Sequence, residues 1–279
     1  MAYGEKHFDR FIPELWSARL LANLDKTFVF PQCVNRDYEG EIRNLGDTVH
    51  INKFGDIAIA DYTKATGVGE PADPGNGSTV SLIIDQAKYF NFKVEDIEAV
   101  QANVALMEKA MQRAAYGIGD VIDQHIAAMV AQAGIQVDKS DAVLDKAEAY
   151  DVLVDLKVEL NKNNVPAAGR FVVVPPEFIG LLEKDDRYTK YADADVMANG
   201  VKGRVAGFDV RESNNVVQDA GVYSIMAGTD MAISFAGQIT KIEAYRPEKS
   251  FADACKGLYV FGAEVVESEA LACLKVKFQ

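Results

Sequence analysis

Residues 82–101, LIIDQAKYFNFKVEDIEAVQ, change their periodicity halfway along. Up to Val94 the apolar residues alternate with their neighbours, as at Phe90, Phe92 and Val94, which predicts a β-strand. From Asp96 onward they recur every three or four positions, which predicts a helix. The fold must therefore let a strand run directly into a long helix with no linker between them.

The strand half of this stretch returns from a predicted β-ribbon. Val49, Ile51, Ile57 and Ile59 alternate with other residues on the outgoing arm, and Val80–Val94 forms the return arm. Between the arms, GVGEPADPGNGS at 67–78 is rich in glycine and proline and predicts a loose tip. Such tips are usually solvated turns. Arms of about a dozen residues span about 40 Å, and an isolated two-stranded ribbon is marginal in water, so this one needs a partner surface.

The helix half is predicted to run from a cap at Asp96 to Gly134, a length of about 55 Å. Gly117 and Gly119 lie inside it and indicate a place where it could bend. Its apolar stripe is predicted as Ile97, Val100, Val104, Met107, Met111, Ala114, Ile118, Val121 and His125.

The flanking segments predict a mixed α+β protein. A short amphipathic helix follows Pro13 and needs a surface to lie on. DVLVDLKVEL at 151–160 fits both the two-residue period of a strand and the period of a helix, and the polar NKNN after it favours a helix. Phe171–Val174 reads as a buried strand, and Pro176 opens a short helix. Alternating segments broken by Gly and Asn then predict a small sheet, and the chain closes with one or two strands.

Composition excludes several classes of protein. The 279 residues carry a formal net charge of −13, which argues against a nucleic-acid-binding surface because phosphate contacts need clustered Lys and Arg. Cys33, Cys255 and Cys273 have no metal-binding spacing and indicate reduced thiols. No apolar stretch approaches the roughly 20 residues of a membrane span. The charged amino terminus is unlike a secretion signal, so we expect a protein made in a cytoplasm.

The sequence contains few patterns that are typical of a catalytic or metal site. Asp120 and Asp123 share a helix face, but Asp123 and His125 do not, which favours a solvated or interface-facing cluster over a metal site. GVGEP at 67–71 does not open a helix after a buried strand and lacks the third glycine of a dinucleotide-binding loop. We therefore predict no catalytic residue, no cofactor and no metal.

The order of these elements resembles the major capsid proteins of tailed bacteriophages, which have the Hong Kong 97-like fold. FIPELWSARLLANLDKTFVF at 11–30 resembles the family's amino-terminal arm, and IIDQAKYFNFKVEDIEAVQ its strand-to-helix junction. VKGRVAGFDVRESNNV at 201–216 resembles a strand of its axial domain.

The resemblance implies a domain division. It assigns 1–36 to an N-arm, 37–94 to the extended loop, 95–145 and 251–279 to a peripheral domain with a spine helix, and 146–250 to the axial domain. It also implies a shell of hexamers and pentamers that encloses double-stranded DNA without sequence-specific binding and without a membrane. Scaffolding, portal and decoration proteins are expected partners. The assembly contacts are predicted at Pro13, Trp16, Leu20, Tyr62, Glu70, Tyr89 and Arg187.

Two other functions stay open on the sequence alone. An encapsulin-like cellular compartment would share the fold and would enclose an enzyme. A soluble enzyme or a monomeric binding module would be a compact monomer or dimer.

Overall fold

The computed structural model describes residues 28–42, 44–53, 59, 61–62, 64, 79–95, 105–185, 203–249 and 252–278. The helices in these ranges are α1 Ala105–Ala128, α2 Lys146–Lys162 and α3 Pro176–Glu183, with short 3-10 turns between elements. The strands in the same ranges are β1 Thr48–Asn52, β2 Thr79–Ile83, β3 Gln86–Glu95, β4 Ile135–Val143, β5 Phe171–Val174, β6 Arg204–Val205, β7 Phe208–Glu212, β8 Val217–Asp219, β9 Val222–Gly228, β10 Ile233–Tyr245, β11 Ala252–Val265 and β12 Leu271–Lys277.

A seven-stranded mixed sheet forms one layer of the molecule. Its order is β4-β12-β9-β5-β7-β6, and β8 also pairs with β9. The β4–β12 and β5–β7 pairs are parallel and the others antiparallel. β4 and β12, which the predicted boundaries place in the peripheral domain, thus share a sheet with β9, which they place in the axial domain. The domain division itself stays a prediction.

The helix predicted around residues 151–160 is confirmed as α2. Asp145 caps it, because its side chain accepts from the amide of Lys146 at 2.7 Å, and Glu148 completes a capping box. Its buried side chains are Ala149, Val152, Leu153, Leu156 and Leu160. The strand at Phe171–Val174 and the helix opened by Pro176 are confirmed as β5 and α3.

A second, three-stranded antiparallel sheet has the order β10-β11-β3. Its register pairs Phe261 with Gln86 at one end and Ala252 with Glu95 at the other. One hydrophobic core joins this sheet, through Phe235 and Phe261, to α1, α2 and the seven-stranded sheet. The two sheets therefore fold around a shared interior.

The predicted ribbon differs from the structure in its return arm. Val80–Val94 was expected to be one strand, but it is divided at Ile84–Asp85 into β2 and β3. Only β2 pairs with β1, whereas β3 pairs with β11. The reason is packing: Phe90 and Phe92 of β3 lie against the main core. Gly257 of β11 is paired with Phe90 of β3, and any Cβ at Gly257 would collide with the Phe90 ring.

The long helix is confirmed, but its buried face is not the predicted one. The α-helix ends at Ala128 and a 3-10 turn, Met129–Gln132, continues it to just before Gly134. The predicted start at Asp96 lies outside the described residues. Helix α1 is continuous through Gly117 and Gly119. The buried apolar positions described on α1 are Met111, Ala115, Ile118, Ile122, Ile126 and Ala127. Met111 and Ile118 of the predicted stripe are therefore buried as expected, and the stripe is displaced by one residue at Ala114, Val121 and His125.

All three cysteines are buried and free. Burial raises the pKa of Cys33 to about 12 and that of Cys255 to about 11, so both thiols stay protonated at neutral pH. Among the residues that the structure describes, no helix is both long and apolar enough to span a membrane.

Candidate functional surfaces

The root of the ribbon is fixed to its own subunit. Val49 and Ile51 of β1 and Leu82 of β2 are buried in a second, smaller core. This core also contains Ile42, Ile84, Ala236 and Val260, the last two of which belong to the three-stranded sheet. The ribbon was expected to need a partner surface, and at this root that surface is the three-stranded sheet of its own subunit and not a neighbouring subunit.

The ribbon and the sheet approach each other closely at Gly262. A Cβ at this position of β11 would collide with the carbonyl oxygen of Ile83. The amide of Gly46 donates to the carbonyl of Ile84 at 2.8 Å, and the amide of Ile84 donates to the carbonyl of Asp47 at 3.0 Å. Backbone contacts thus hold the point at which β2 turns away from β1 and becomes β3.

Beyond the root, large apolar side chains stand in water. Ile59 is 99% exposed and Tyr62 is 68% exposed, although both follow a strand whose apolar side chains are buried. The predicted contact residue Tyr62 is therefore accessible in the isolated subunit.

One face of the three-stranded sheet is aromatic and basic. Tyr89 is 79% exposed beside Leu258, and the other charged side chains described on this face are Lys93, Lys241, Lys256 and Glu243. Lys241 and Lys256 both bond to the Glu243 carboxylate, the latter at 2.9 Å, and lower the pKa of Glu243 to about 2. On a chain of net charge −13, this face has an excess of positive charge.

Polar contacts order the same face. The side chains of Asn91 and Tyr245 bond to each other across β11, with a distance of 2.9 Å between Nδ2 and the phenol oxygen. The Lys256 ammonium lies 5.2 Å from the centre of the Tyr245 ring. We call this surface, formed by Tyr89, Asn91, Lys93, Lys241, Glu243, Tyr245, Lys256 and Leu258, the sheet face.

The amino-terminal segment enters the described structure through a buried joint. Phe28 and Phe30 are 3% and 1% exposed and pack in the main core against α1. The carboxylate of Asp123 on α1 accepts from the amide of Val29 at 3.3 Å and from the amide of Phe30 at 3.2 Å. Residues 28–30 are therefore part of the subunit core, although the resemblance places them in the N-arm.

Asp123 was named in the sequence analysis, but its burial at the joint with the amino-terminal segment was not predicted. It is 3% exposed, whereas the Asp120–Asp123–His125 cluster was expected to be solvated or to face an interface. Burial raises the pKa of Asp123 to about 6, against the opposing effect of its bonds from Val29 and Phe30.

The remaining predicted site residues divide into two groups. Tyr62 and Tyr89 are described and exposed, on the ribbon and on the sheet face. Pro13, Trp16, Leu20, Glu70 and Arg187 lie outside the described residues. Within the described ranges, no group of three or more His, Cys, Asp or Glu side chains could hold a metal ion.

Comparison with known proteins identifies the family. A family model described as phage capsid protein matches residues 78–276. A comparison with curated proteins returned no match. A solved chain of Mycobacterium phage Che8 is 31% identical, with a TM-score of 0.71 over 88% of this chain and 90% of that one.

Two more distant structures share the fold. The capsid of cyanophage P-SCSP1u is 14% identical, with a TM-score of 0.70 over 90% of this chain and 89% of that one. A virus-like particle from Pyrococcus furiosus is also 14% identical, with a TM-score of 0.57 over 94% of this chain and 98% of that one. Taken with the family match, they leave one assignment: this chain belongs to the phage capsid protein family and is a major capsid protein with the Hong Kong 97-like fold that forms the shell of the phage head.

Proposed function

We propose that copies of this chain assemble as hexamers and pentamers, and that residues 1–27 and the outer ribbon, residues 54–78, lie on neighbouring subunits. The observation that carries this proposal is the contrast along the ribbon. Its root buries Val49, Ile51 and Leu82, whereas Ile59 and Tyr62 beyond the root are exposed. Apolar side chains of this size on a rooted ribbon are typical of a surface that a partner covers.

The energetic scale is sufficient for a shell. At about 25 cal/mol per Å², burial of about 1,000 Å² of apolar surface contributes on the order of 25 kcal/mol before association entropy is subtracted. A closed shell needs each contact to be only weakly favourable, since every subunit makes several of them. Contacts between different patches close into a shell when their angles allow it.

The sheet face supplies a second proposed contact. Its described charged side chains are three lysines and one glutamate, opposite in sign to the net charge of the chain, so another copy is an electrostatically complementary partner. Tyr89, on the edge strand β3, is the predicted contact that this surface contains.

The interior partner is the phage genome. We expect the head to enclose double-stranded DNA without binding its sequence, because a chain of net charge −13 repels phosphate over most of its surface. Portal, scaffolding and decoration proteins are the expected protein partners. Synthesis in the bacterial host cytoplasm, followed by incorporation into the virion, completes the proposal.

The test compares assembly of the full-length chain with that of two tyrosine variants. Tyr62→Ala removes an exposed side chain of the ribbon, and Tyr116→Ala removes one on α1 with a similar exposure, 65% against 68%. Sedimentation velocity and negative-stain electron microscopy should show megadalton particles for the wild type and for Tyr116→Ala. Tyr62→Ala should shift material to capsomers or subunits. Equal assembly of both variants would contradict the contact assigned to the ribbon.

A further inference from the structure

Asp123 is a carboxylate enclosed at the joint between the amino-terminal segment and the long helix. The side chain comes from the middle of α1 and is 3% exposed. Its Oδ1 atom lies 3.3 Å from the amide nitrogen of Val29 and 3.2 Å from that of Phe30, and Oδ2 lies 3.3 Å from the same Val29 nitrogen. These amides begin a 3-10 turn, Phe30–Gln32, so their hydrogen bonds are not made within that turn.

The groups around this joint do not neutralise the carboxylate. From its own helix, Asp120 faces it and adds negative charge. From the amino-terminal segment, the thiol of Cys33 is the titratable neighbour. From β7, Arg211 and Asp209 act on Cys33, and the Arg211 guanidinium bonds to Gln32 at 2.5 Å. Asp123 accepts hydrogen bonds from backbone amides, and no cationic side chain among the described residues is bonded to it.

The cover over the carboxylate is the segment that it binds. Residues 28–33 lie on α1, and Phe28 and Phe30 close the apolar surroundings. If this segment lifts away, Asp123 becomes exposed to water and the two amides lose their acceptor. The bonds and the burial of Asp123 are therefore gained and lost together.

We propose that Asp123 is the positioning residue that fixes where the amino-terminal arm leaves the subunit, and that this attachment is weakest above neutral pH and strengthens as the carboxylate takes up a proton. The consequence for assembly rests on the proposed contact of residues 1–27 with neighbouring subunits. The attachment itself is a property of the single subunit.

The direction of the pH effect follows from linkage. The pKa of Asp123 is about 6 when the segment covers it and close to its ordinary value of 3.8 when water reaches it. The covered state therefore binds the proton more tightly than the uncovered state. As the pH falls from above about 6 towards 3.8, the equilibrium shifts to the covered state. Bonds to the amides favour the ionised form, but burial outweighs them.

Hydrogen–deuterium exchange of the full-length chain measures the attachment directly. The readout is the protection of the peptide containing the Val29 and Phe30 amides, corrected for the intrinsic pH dependence of exchange. The experiment runs from pH 7.5 to pH 5.2, which stays above the isoelectric point of about 4.7. Over this range the wild-type protection should rise roughly sevenfold, from the two pKa values and one proton.

Three variants separate the acceptor from the charge. Asp123→Asn keeps an oxygen that can accept both amides but cannot titrate, so its protection should stay near or above the wild-type value and should not change with pH. Asp123→Ala removes the acceptor and should lose the protection at every pH. Asp120→Asn lies one turn away, where Asp120 accepts from Asn215 at 2.8 Å, and should keep the rise with acid.

Opposite outcomes would overturn the inference. These are protection in Asp123→Ala equal to that of the wild type at pH 7.5, a pH response in Asp123→Asn equal to that of the wild type, or wild-type protection that falls in acid. If Asp123→Ala does not fold, the wild-type and Asp123→Asn profiles decide. Sedimentation of the same samples keeps the two proposals apart, because wild-type chains that show the expected profile but form no particles contradict the proposed function alone.

Discussion

Leu82 and Ile83 are adjacent in β2 and lie on opposite faces, so they form a matched pair for testing whether the ribbon is rooted in its own subunit. Leu82 is fully buried in the smaller core, and Ile83 is 51% exposed. The perturbation is truncation of each residue to alanine. Because the two positions share a strand, their backbone environments are nearly equal.

The expected magnitudes differ by the burial of the two side chains. Leu82→Ala removes three buried carbons, about 2.4 kcal/mol of transfer free energy at about 0.8 kcal/mol each. A residual cavity raises the loss, and buried Leu→Ala changes typically cost about 2–5 kcal/mol. Ile83→Ala removes carbons that are half in water, so we expect about half the transfer term, near 1 kcal/mol, with any loss of strand propensity adding to it.

Urea unfolding of unassembled subunits, followed by fluorescence and circular dichroism, measures both changes. Equal slopes for the two variants would show that the midpoints report stability alone. Leu82→Ala should lower the free energy of unfolding by at least about 1 kcal/mol more than Ile83→Ala does. An equal or larger loss in Ile83→Ala would refute the assignment of Leu82 to the buried face of β2.

Three further predictions test the root of the ribbon, the amino-terminal arm and a buried arginine. Gly262→Ala should destabilise the subunit by about 1–3 kcal/mol in urea unfolding, because the added Cβ meets the Ile83 backbone. The control Gly117→Ala lies in open space on α1 and should stabilise the subunit by about 1 kcal/mol. A change of the same sign in both variants would contradict the close approach at Gly262. Removal of residues 1–26 should leave thermal unfolding nearly unchanged and abolish regular particles, and normal particles from this truncated chain would speak against the role of the arm. Arg170→Lys should lower the free energy of unfolding by about 1.5–3 kcal/mol, because the buried guanidinium donates to the carbonyls of Pro166 at 2.8 Å and Val165 at 2.5 Å. A variant as stable as the wild type would show that a lysine ammonium can make these hydrogen bonds equally well.

Local sequence features predicted α2, β5 and α3. Residues 151–160 of α2 fit either a strand or a helix period, and the polar NKNN after them favoured the helix that the structure shows, whereas β5 is a run of four buried residues. Pro176 fixed the start of α3. These elements could be found because their own residues carry the pattern.

Strand pairing could not be found in this way. Apolar residues keep the same parity at Val80 and Leu82 in β2 and at Phe90 and Phe92 in β3, with polar Gln86 and Lys88 between them. The parity alone therefore does not show that the pairing partner changes at Ile84–Asp85. The division arises because β11, more than 150 residues further along the chain, offers Gly257 opposite Phe90. Tertiary partners override local periodicity here.

The functional surfaces were predicted in part for the same reason. Tyr62 and Tyr89 are exposed as expected of contact residues, and their role in contacts stays a prediction. Asp123 was assigned to a polar cluster because a carboxylate within a helical sequence is usually exposed to solvent. Its burial depends on the amides of Val29 and Phe30, which are remote in sequence and carry no side-chain signal.

The central claim is that the amino-terminal arm and the outer ribbon of one subunit are covered by neighbouring copies. Electron cryomicroscopy of particles assembled from the full-length chain tests it most directly, through the path of residues 1–27 and 54–78. The account predicts continuous density for both segments across an adjacent subunit, with Tyr62 in contact there. Density that returns both segments to their own subunit, with Tyr62 still facing solvent, would contradict it.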